Sequence, residues 1–148
     1  MTKIEKALTL FERYNCAQSV FAGCSGGEEL TDEMCFRLAA AFGGGMGRMG
    51  GTCGALTGAF LALGIRHGHP MATDPEQSRG PFYERVRALA EAFRARNGAV
   101  SCRELTGCDL LTPDGNARFK AEDMHHKLCS RLVASAVELV EGSGPVSK

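Results

Sequence analysis

The 148-residue chain is long enough for one domain with its own hydrophobic core, so its stability does not require disulfides. Seventeen basic residues balance seventeen acidic ones, which leaves no global electrostatic basis for binding nucleic acid or an anionic membrane. The longest apolar run, 55–65, is too short to span a bilayer. We therefore expect neither a nucleic-acid partner nor membrane insertion.

Seven cysteines are many for a chain of this size, and the number is odd. The N-terminal sequence MTKIEKALTLFERYN lacks the uninterrupted apolar core of a secretory signal, which predicts a cytoplasmic protein. In that reducing compartment, cysteines indicate thiol redox chemistry or metal ligation rather than a disulfide framework. The sequence has no CxxC or CxxCH motif, so any ligand set has to be assembled from distant parts of the chain.

The first two predicted helices follow each other closely. Apolar residues recur at helical spacing from residue 4 to about 14, which predicts an amphipathic helix. Asn15 then caps a second helix, because its side chain can bond the backbone of Gln18 while Gln18 reaches back to Asn15. This capping places Cys16 at the first helical position, and the helix ends near Cys24.

A third helix is predicted to begin at Thr31, and a glycine-rich turn with the sequence GGGMGRMGG follows it. After the turn, Thr52 is predicted to cap an apolar helix whose first residue is Cys53. The positive end of the helix dipole would then lower the pKa of this thiol and favour the reactive thiolate. The alternative is a buried helix in which Cys53 only fills space.

Small residues recur every four positions along the same helix, at Gly54, Gly58 and Ala62. This stripe allows a second helix to approach closely, either from the same chain or from the partner in a homodimer. The glycine turn is most simply a tight connection, although its backbone N–H groups could form a nest for an anion or a cluster sulfide. Gly50, Gly51 and Gly54 are accordingly our candidate cofactor-binding residues.

Residues 82–97 show helical periodicity and are followed by Gly98, which predicts a helix with a glycine cap. The SCRE sequence then fits a capping box and places Cys102 at another first helical position. Cys16, Cys53 and Cys102 thus occupy the same kind of predicted site, which indicates a shared electrostatic purpose. The last helical region is predicted from Asn116 to Glu141.

No segment shows sustained alternation, so we predict an all-α, single-domain bundle of five to seven helices with a glycine-rich interhelical turn. The domain is expected to span residues 1–141, with a disordered tail at 142–148. Cys24 and Cys35 are interpreted as small core residues, and Cys108 receives no role. His125 and His126 fit a polar turn or an exposed first turn of helix, the alternative being a proton-transfer or ligand role.

Four blocks of the sequence resemble the C_GCAxxG_C_C family of redox-active proteins. These blocks are YNCAQ around Cys16, GGTCGALTGA around Cys53, SCREL around Cys102 and CSRLV around Cys129, and the resemblance extends from about residue 14 to 140. It implies a small, mainly helical protein of bacterial or archaeal type, with these four as the family cysteines. One departure is Ser130, where we expect proline after the last cysteine.

Three functional hypotheses follow. In the first, the four family cysteines converge and cycle between thiols and disulfides, as in a thiol-disulfide oxidoreductase that exchanges with a redox partner protein or a small thiol. In the second, the same cysteines bind an Fe-S cluster in an electron carrier or sensor, with structural zinc as a weaker variant. In the third, the chain is a non-catalytic helical interaction module whose cysteines only pack.

Overall fold

The structure is a computed structural model that describes residues 1–68 and 74–144. These residues form eight α-helices: α1 Lys3–Phe11, α2 Cys16–Ser25, α3 Asp32–Ala39, α4 Gly54–His67, α5 Pro75–Asn97, α6 Cys102–Thr106, α7 Pro113–Ala121 and α8 Ser130–Glu141. A 3-10 turn, Ala40–Phe42, extends α3, and a π-helical turn, His125–Cys129, leads into α8. The predicted all-α class is therefore confirmed.

The number of helices exceeds the predicted five to seven because the last helical region is divided. α7 ends at Ala121, and Asp123 then has a left-handed φ of 49°, which interrupts the helical path before the π-helical turn. The helical pattern of the sequence does not reveal this interruption, because apolar and polar residues continue at helical spacing through it. The boundary at residue 141 and the disordered tail stay predictions, and residues 145–148 lie outside the described part of the chain.

Side-chain caps set most helix starts, as expected. The Asn15 side chain accepts a hydrogen bond from the Gln18 amide at 2.8 Å, and the Gln18 side chain accepts one from the Asn15 amide at 3.0 Å, which confirms that capping box. At α6 the Ser101 hydroxyl accepts from the Glu104 amide at 3.1 Å. The predicted cap at Thr52 is wrong by one residue: Cys53 is the N-cap of α4.

Thr52 is displaced from the cap position because it pairs with Ser101 in an isolated antiparallel bridge. The Cys53 amide donates to the Val100 carbonyl at 2.8 Å, and the Cys102 amide donates to the Gly51 carbonyl at 2.7 Å. These bonds join the segments that precede α4 and α6. The starts of the two helices, each with its cysteine, consequently lie side by side.

The core is centred on α2, which packs against α1, α3, α4 and α8. The predicted close approach along the small-residue stripe is confirmed, and the approaching helix is α2 of the same chain. A Cβ atom added at Gly58 would lie 2.6 Å from the Ala17 carbonyl oxygen, and one at Gly54 would overlap the Cys16 sulfur. Backbone meets backbone here, so no larger side chain fits.

None of the helices in the described ranges has the length and apolar character required to cross a membrane.

We predict that Gly58→Ala destabilises the fold by about 1–3 kcal/mol, because the new methyl group would meet the α2 backbone and force the helices apart. Gly64→Ala is the matched control in the same helix, since its Cβ would meet only the Phe82 ring at 3.9 Å. That change should stabilise the protein by about 0.5–1 kcal/mol by reducing backbone entropy in the unfolded chain. Urea denaturation measures both, and equal effects of the two substitutions would contradict the prediction.

Candidate functional site: a cavity lined by four cysteines

Cys16, Cys53, Cys102 and Cys129 line one cavity of about 480 Å³. They come from the starts of α2, α4 and α6 and from the π-helical turn before α8. The other three cysteines are fully buried, Cys24 and Cys35 in the main core as predicted. Four thiols that are distant in sequence are thus brought to one place by packing.

The cysteines differ in their position on the helices. Cys16 and Cys102 are the first residues of α2 and α6, as predicted. Cys53 precedes the first turn of α4, where backbone N–H groups have no helical partner. Cys129 is the last residue of the π-helical turn. Three of the four sulfurs therefore lie near the positive end of a helix.

The π-helical turn explains why serine is compatible with position 130. The Ser130 amide donates to the His125 carbonyl in the wide turn that gives this segment its π geometry. Proline has no N–H group and could not make this bond. The turn places both His125 and Cys129 in the cavity wall. Such turns are frequent at functional sites.

The glycine turn, which also contributes to the cavity wall, has an unusual backbone. Five consecutive residues, Gly44–Arg48, have left-handed φ values between 57° and 71°. For Met46 and Arg48, which carry a Cβ, this conformation costs roughly 1–2 kcal/mol per residue. Backbone strain of this kind is concentrated at binding and catalytic sites. The turn contributes Gly43, Gly44, Gly47 and Arg48 to the cavity wall.

The three glycines predicted to bind a cofactor have different places. Gly54 lines the cavity beside Cys16. Gly50 and Gly51 are absent from its wall, and their carbonyls accept hydrogen bonds from the Arg103 and Cys102 amides at 3.3 and 2.7 Å. Gly50 and Gly51 thus orient the start of α6.

Burial dominates the electrostatics of the two innermost thiols. It raises the pKa of Cys16, although the backbone amides of Gly44 and Ala17 stabilise the thiolate and oppose the shift. Burial also raises the pKa of Cys53, which is only 4% exposed, and the neighbouring Cys16 adds to the increase. The amides of Ala55 and Leu56 oppose it without cancelling it.

The same direction holds for the two outer thiols. Burial raises the pKa of Cys102 to about 11, with Cys16 as the next cause and Arg48 opposing. Burial, followed by Cys16 and Cys102, raises the pKa of Cys129 to about 12. The prediction that helix starts make Cys16, Cys53 and Cys102 acidic is therefore wrong: backbone amides lower the pKa of Cys16 and Cys53, but loss of solvent outweighs them.

The four thiols surround a space and do not form a closed cluster. All seven cysteines are free, and among the described residues no three cysteine sulfurs lie within 4.8 Å of one another. One tetrahedral zinc ion with Zn–S bonds of about 2.3 Å holds its sulfurs about 3.8 Å apart. The arrangement is thus wider than a single-ion site.

Comparison with known families identifies the family of this chain. A family model described as "Putative redox-active protein (C_GCAxxG_C_C)" matches residues 14–142, most of the chain. The chain belongs to the C_GCAxxG_C_C family. A search of curated proteins and a search of solved structures each found no match. The resemblance inferred from the cysteine blocks is confirmed.

Sequence reasoning missed several residues of the cavity wall, notably Gly44, Arg48 and Phe11, and gave His125 a ligand role only as the alternative. The left-handed path of the glycine turn brings the first two to the cavity, and no local pattern predicts that path. The Phe11 and His125 rings stack with their centroids 4.0 Å apart.

We predict that alkylation of Cys102 by iodoacetamide accelerates about tenfold per pH unit from pH 7 to 10, because only the thiolate reacts and its pKa is about 11. Peptide mass spectrometry after timed quenching measures the rate. In the urea-unfolded control, the rate should level off above roughly pH 8.5–9, where an ordinary thiol is ionised. A folded-state profile that levels off at the same pH would contradict the raised pKa.

Proposed function

We propose that this member of a redox-active family binds an Fe-S cluster through Cys16, Cys53, Cys102 and Cys129 and acts as an electron carrier or sensor. The observation that carries the proposal is the meeting of these four thiols, from four separate segments, on one cavity. The cluster was the second of the sequence-based hypotheses. The cavity geometry and the pKa directions now favour it over the first.

The size of the cavity supports a polynuclear group. About 480 Å³ is far more than one metal ion needs, and no three cysteine sulfurs among the described residues lie within 4.8 Å of one another. An Fe-S cluster shares its four cysteine ligands among two or four irons, so it separates some or all of them more widely than a single ion does. A structural zinc ion is disfavoured because it would need its four sulfurs closer together.

The electrostatics support ligand thiolates more than free nucleophiles. A thiol with a raised pKa is protonated at neutral pH and attacks disulfides slowly. Iron offsets the charge of a bound thiolate, so burial no longer opposes ionisation. The amides of Gly44 and Ala17 near Cys16, and of Ala55 and Leu56 near Cys53, would stabilise cluster thiolates and raise the potential.

When bound, such a cluster supplies one-electron chemistry. The chain's own residues would set its environment: buried aliphatic and aromatic side chains restrict water, and Arg48 contributes a positive charge beside Cys102. A positive charge near the cluster favours the reduced state, which carries one more negative charge.

The test is the iron and acid-labile sulfide content of protein purified without oxygen and then reconstituted. We expect stoichiometric iron and sulfide, with visible charge-transfer bands that Cys53→Ser abolishes. Cys35→Ser is the matched control, because it replaces a fully buried thiol outside the cavity and should retain the cluster. Circular dichroism establishes that both variants are folded. A reconstituted wild type without iron would overturn the proposal.

Thiol-disulfide exchange is the second candidate, and one observation favours it. A Cβ atom on Gly54, the residue after Cys53, would overlap the Cys16 sulfur, so this sulfur lies beside the start of α4, and Cys102 and Cys129 lie on the same cavity wall. In an exchange step, Cys16 and one of these thiols would form an S–S bond and release two protons. Their two electrons would reduce a partner disulfide to two thiols.

For this second candidate we predict that diamide oxidation of the reduced, metal-free protein produces a disulfide that contains Cys16. Non-reducing peptide mapping identifies the bond. Cys16→Ser should prevent intramolecular oxidation among the cavity cysteines, whereas Cys24→Ser, outside the cavity wall, should leave it unchanged. If diamide joins the cavity cysteines equally well without Cys16, the central role of this thiol is refuted.

Either candidate requires an electron partner, and we propose a redox protein or a small thiol in a reducing cytoplasm. Seven cysteines, an odd number, fit thiol or metal chemistry in such a compartment better than a disulfide framework. A non-catalytic interaction module would instead lose only stability when the four cavity cysteines are replaced. The iron analysis and the oxidation map therefore test all three hypotheses.

A further inference from the structure

A second group of ligating side chains lies at the edge of the cysteine cavity. Glu12, His125 and His126 each offer one ligand atom, and these atoms lie within 4.8 Å of one another. Glu12 follows the end of α1, and the two histidines open the π-helical turn. None of the three belongs to the proposed cluster ligands. We propose that they form a binding site for one divalent transition-metal ion.

The ring of His126 is oriented as in known metal sites. Its Nδ1 lies 2.9 Å from an Asp123 carboxylate oxygen, and its Nε2 lies 3.5 Å from a Glu12 carboxylate oxygen. A carboxylate that accepts a hydrogen bond from one imidazole nitrogen leaves the lone pair of the other nitrogen free for a metal. Asp123 is thus a positioning residue that directs Nε2 towards Glu12.

His125 is fixed by different contacts. Its ring stacks on Phe11 with an interplanar angle of 11° and meets the His126 ring nearly edge-on, with centroids 4.9 Å apart. Phe11 is buried and belongs to the core, so the ring of His125 has a rigid support. Glu12 is exposed and can rotate to bring its carboxylate closer to the two rings.

The donor set determines the class of ion. Two imidazoles and one carboxylate suit zinc, cobalt or ferrous iron, and are poorly matched to calcium or magnesium, which prefer oxygen ligands. Ligand atoms about 2.1 Å from a tetrahedral ion lie about 3.4 Å apart, so modest rotation closes the site. Solvent would complete the coordination on the exposed side. The bound ion would join α1 to the segment that leads into Cys129.

The test uses Co²⁺ alone, added anaerobically at pH 7.5 to the reduced, metal-free full-length chain. Equilibrium dialysis counts the bound ions, and visible spectroscopy reports their ligands. Cys ligation gives an intense sulfur-to-cobalt band, whereas nitrogen and oxygen ligands give weak visible bands only. We expect His126→Ala and Glu12→Gln each to bind one Co²⁺ fewer than the wild type while any sulfur-to-cobalt band persists.

Two further variants test the role of Asp123 and the specificity of the site. Asp123→Asn should weaken binding of that ion by roughly 10–100-fold, because the ring loses its orienting carboxylate. Lys127→Ala is the matched control: it changes an exposed neighbour on the same turn and should retain the ion. Equal Co²⁺ binding by the wild type and His126→Ala would overturn the proposal. So would loss of the sulfur-to-cobalt band together with the missing ion, which would assign that ion to the cysteines.

Discussion

The contact between α2 and α4 at Gly54 and Gly58 is the constraint on which the site depends. At Gly58 the backbones approach so closely that even a methyl group would meet the Ala17 carbonyl oxygen. At Gly54 the same contact brings the Cys16 sulfur against the start of α4. Because these two glycines have no side chains, α2 and α4 can pack closely and room remains for the Cys16 sulfur. The packing of the core and the placement of Cys16 follow from one pair of glycines.

The second requirement is a way to bring α6 to this contact, and it is met by backbone hydrogen bonds. α6 has only five residues, too few for an isolated helix to persist. It is held because its first amide, that of Cys102, donates to the carbonyl of Gly51, next to the antiparallel bridge. The left-handed turn Gly44–Arg48 lets the chain reverse within a few residues and return to this bridge. Strain in the turn is thus offset by bonds that assemble the cavity.

The sequence predicted the features that depend on residues three or four positions apart. Helical periodicity and the caps at Asn15 and Ser101 are of this kind, and the structure contains them. It could not predict the pairing of Thr52 with Ser101, which moved the cap of α4 to Cys53, or the left-handed turn. Both depend on contacts between distant segments. The prediction of low thiol pKa values was wrong for the same reason. A cap shows which N–H groups face a sulfur, whereas burial of that sulfur depends on the whole fold.

Because the four thiols come from segments that meet only in the folded chain, any group bound by all of them is coupled to the packing of those segments. The coupling is unequal. α2, α4 and α8 share many core contacts, whereas α6 is joined to them by backbone bonds beside the left-handed turn and by Leu105, which packs against the core. Under the proposed function, a change of state in the cavity would reach α6 through Cys102, which lines the cavity and is the first residue of this helix.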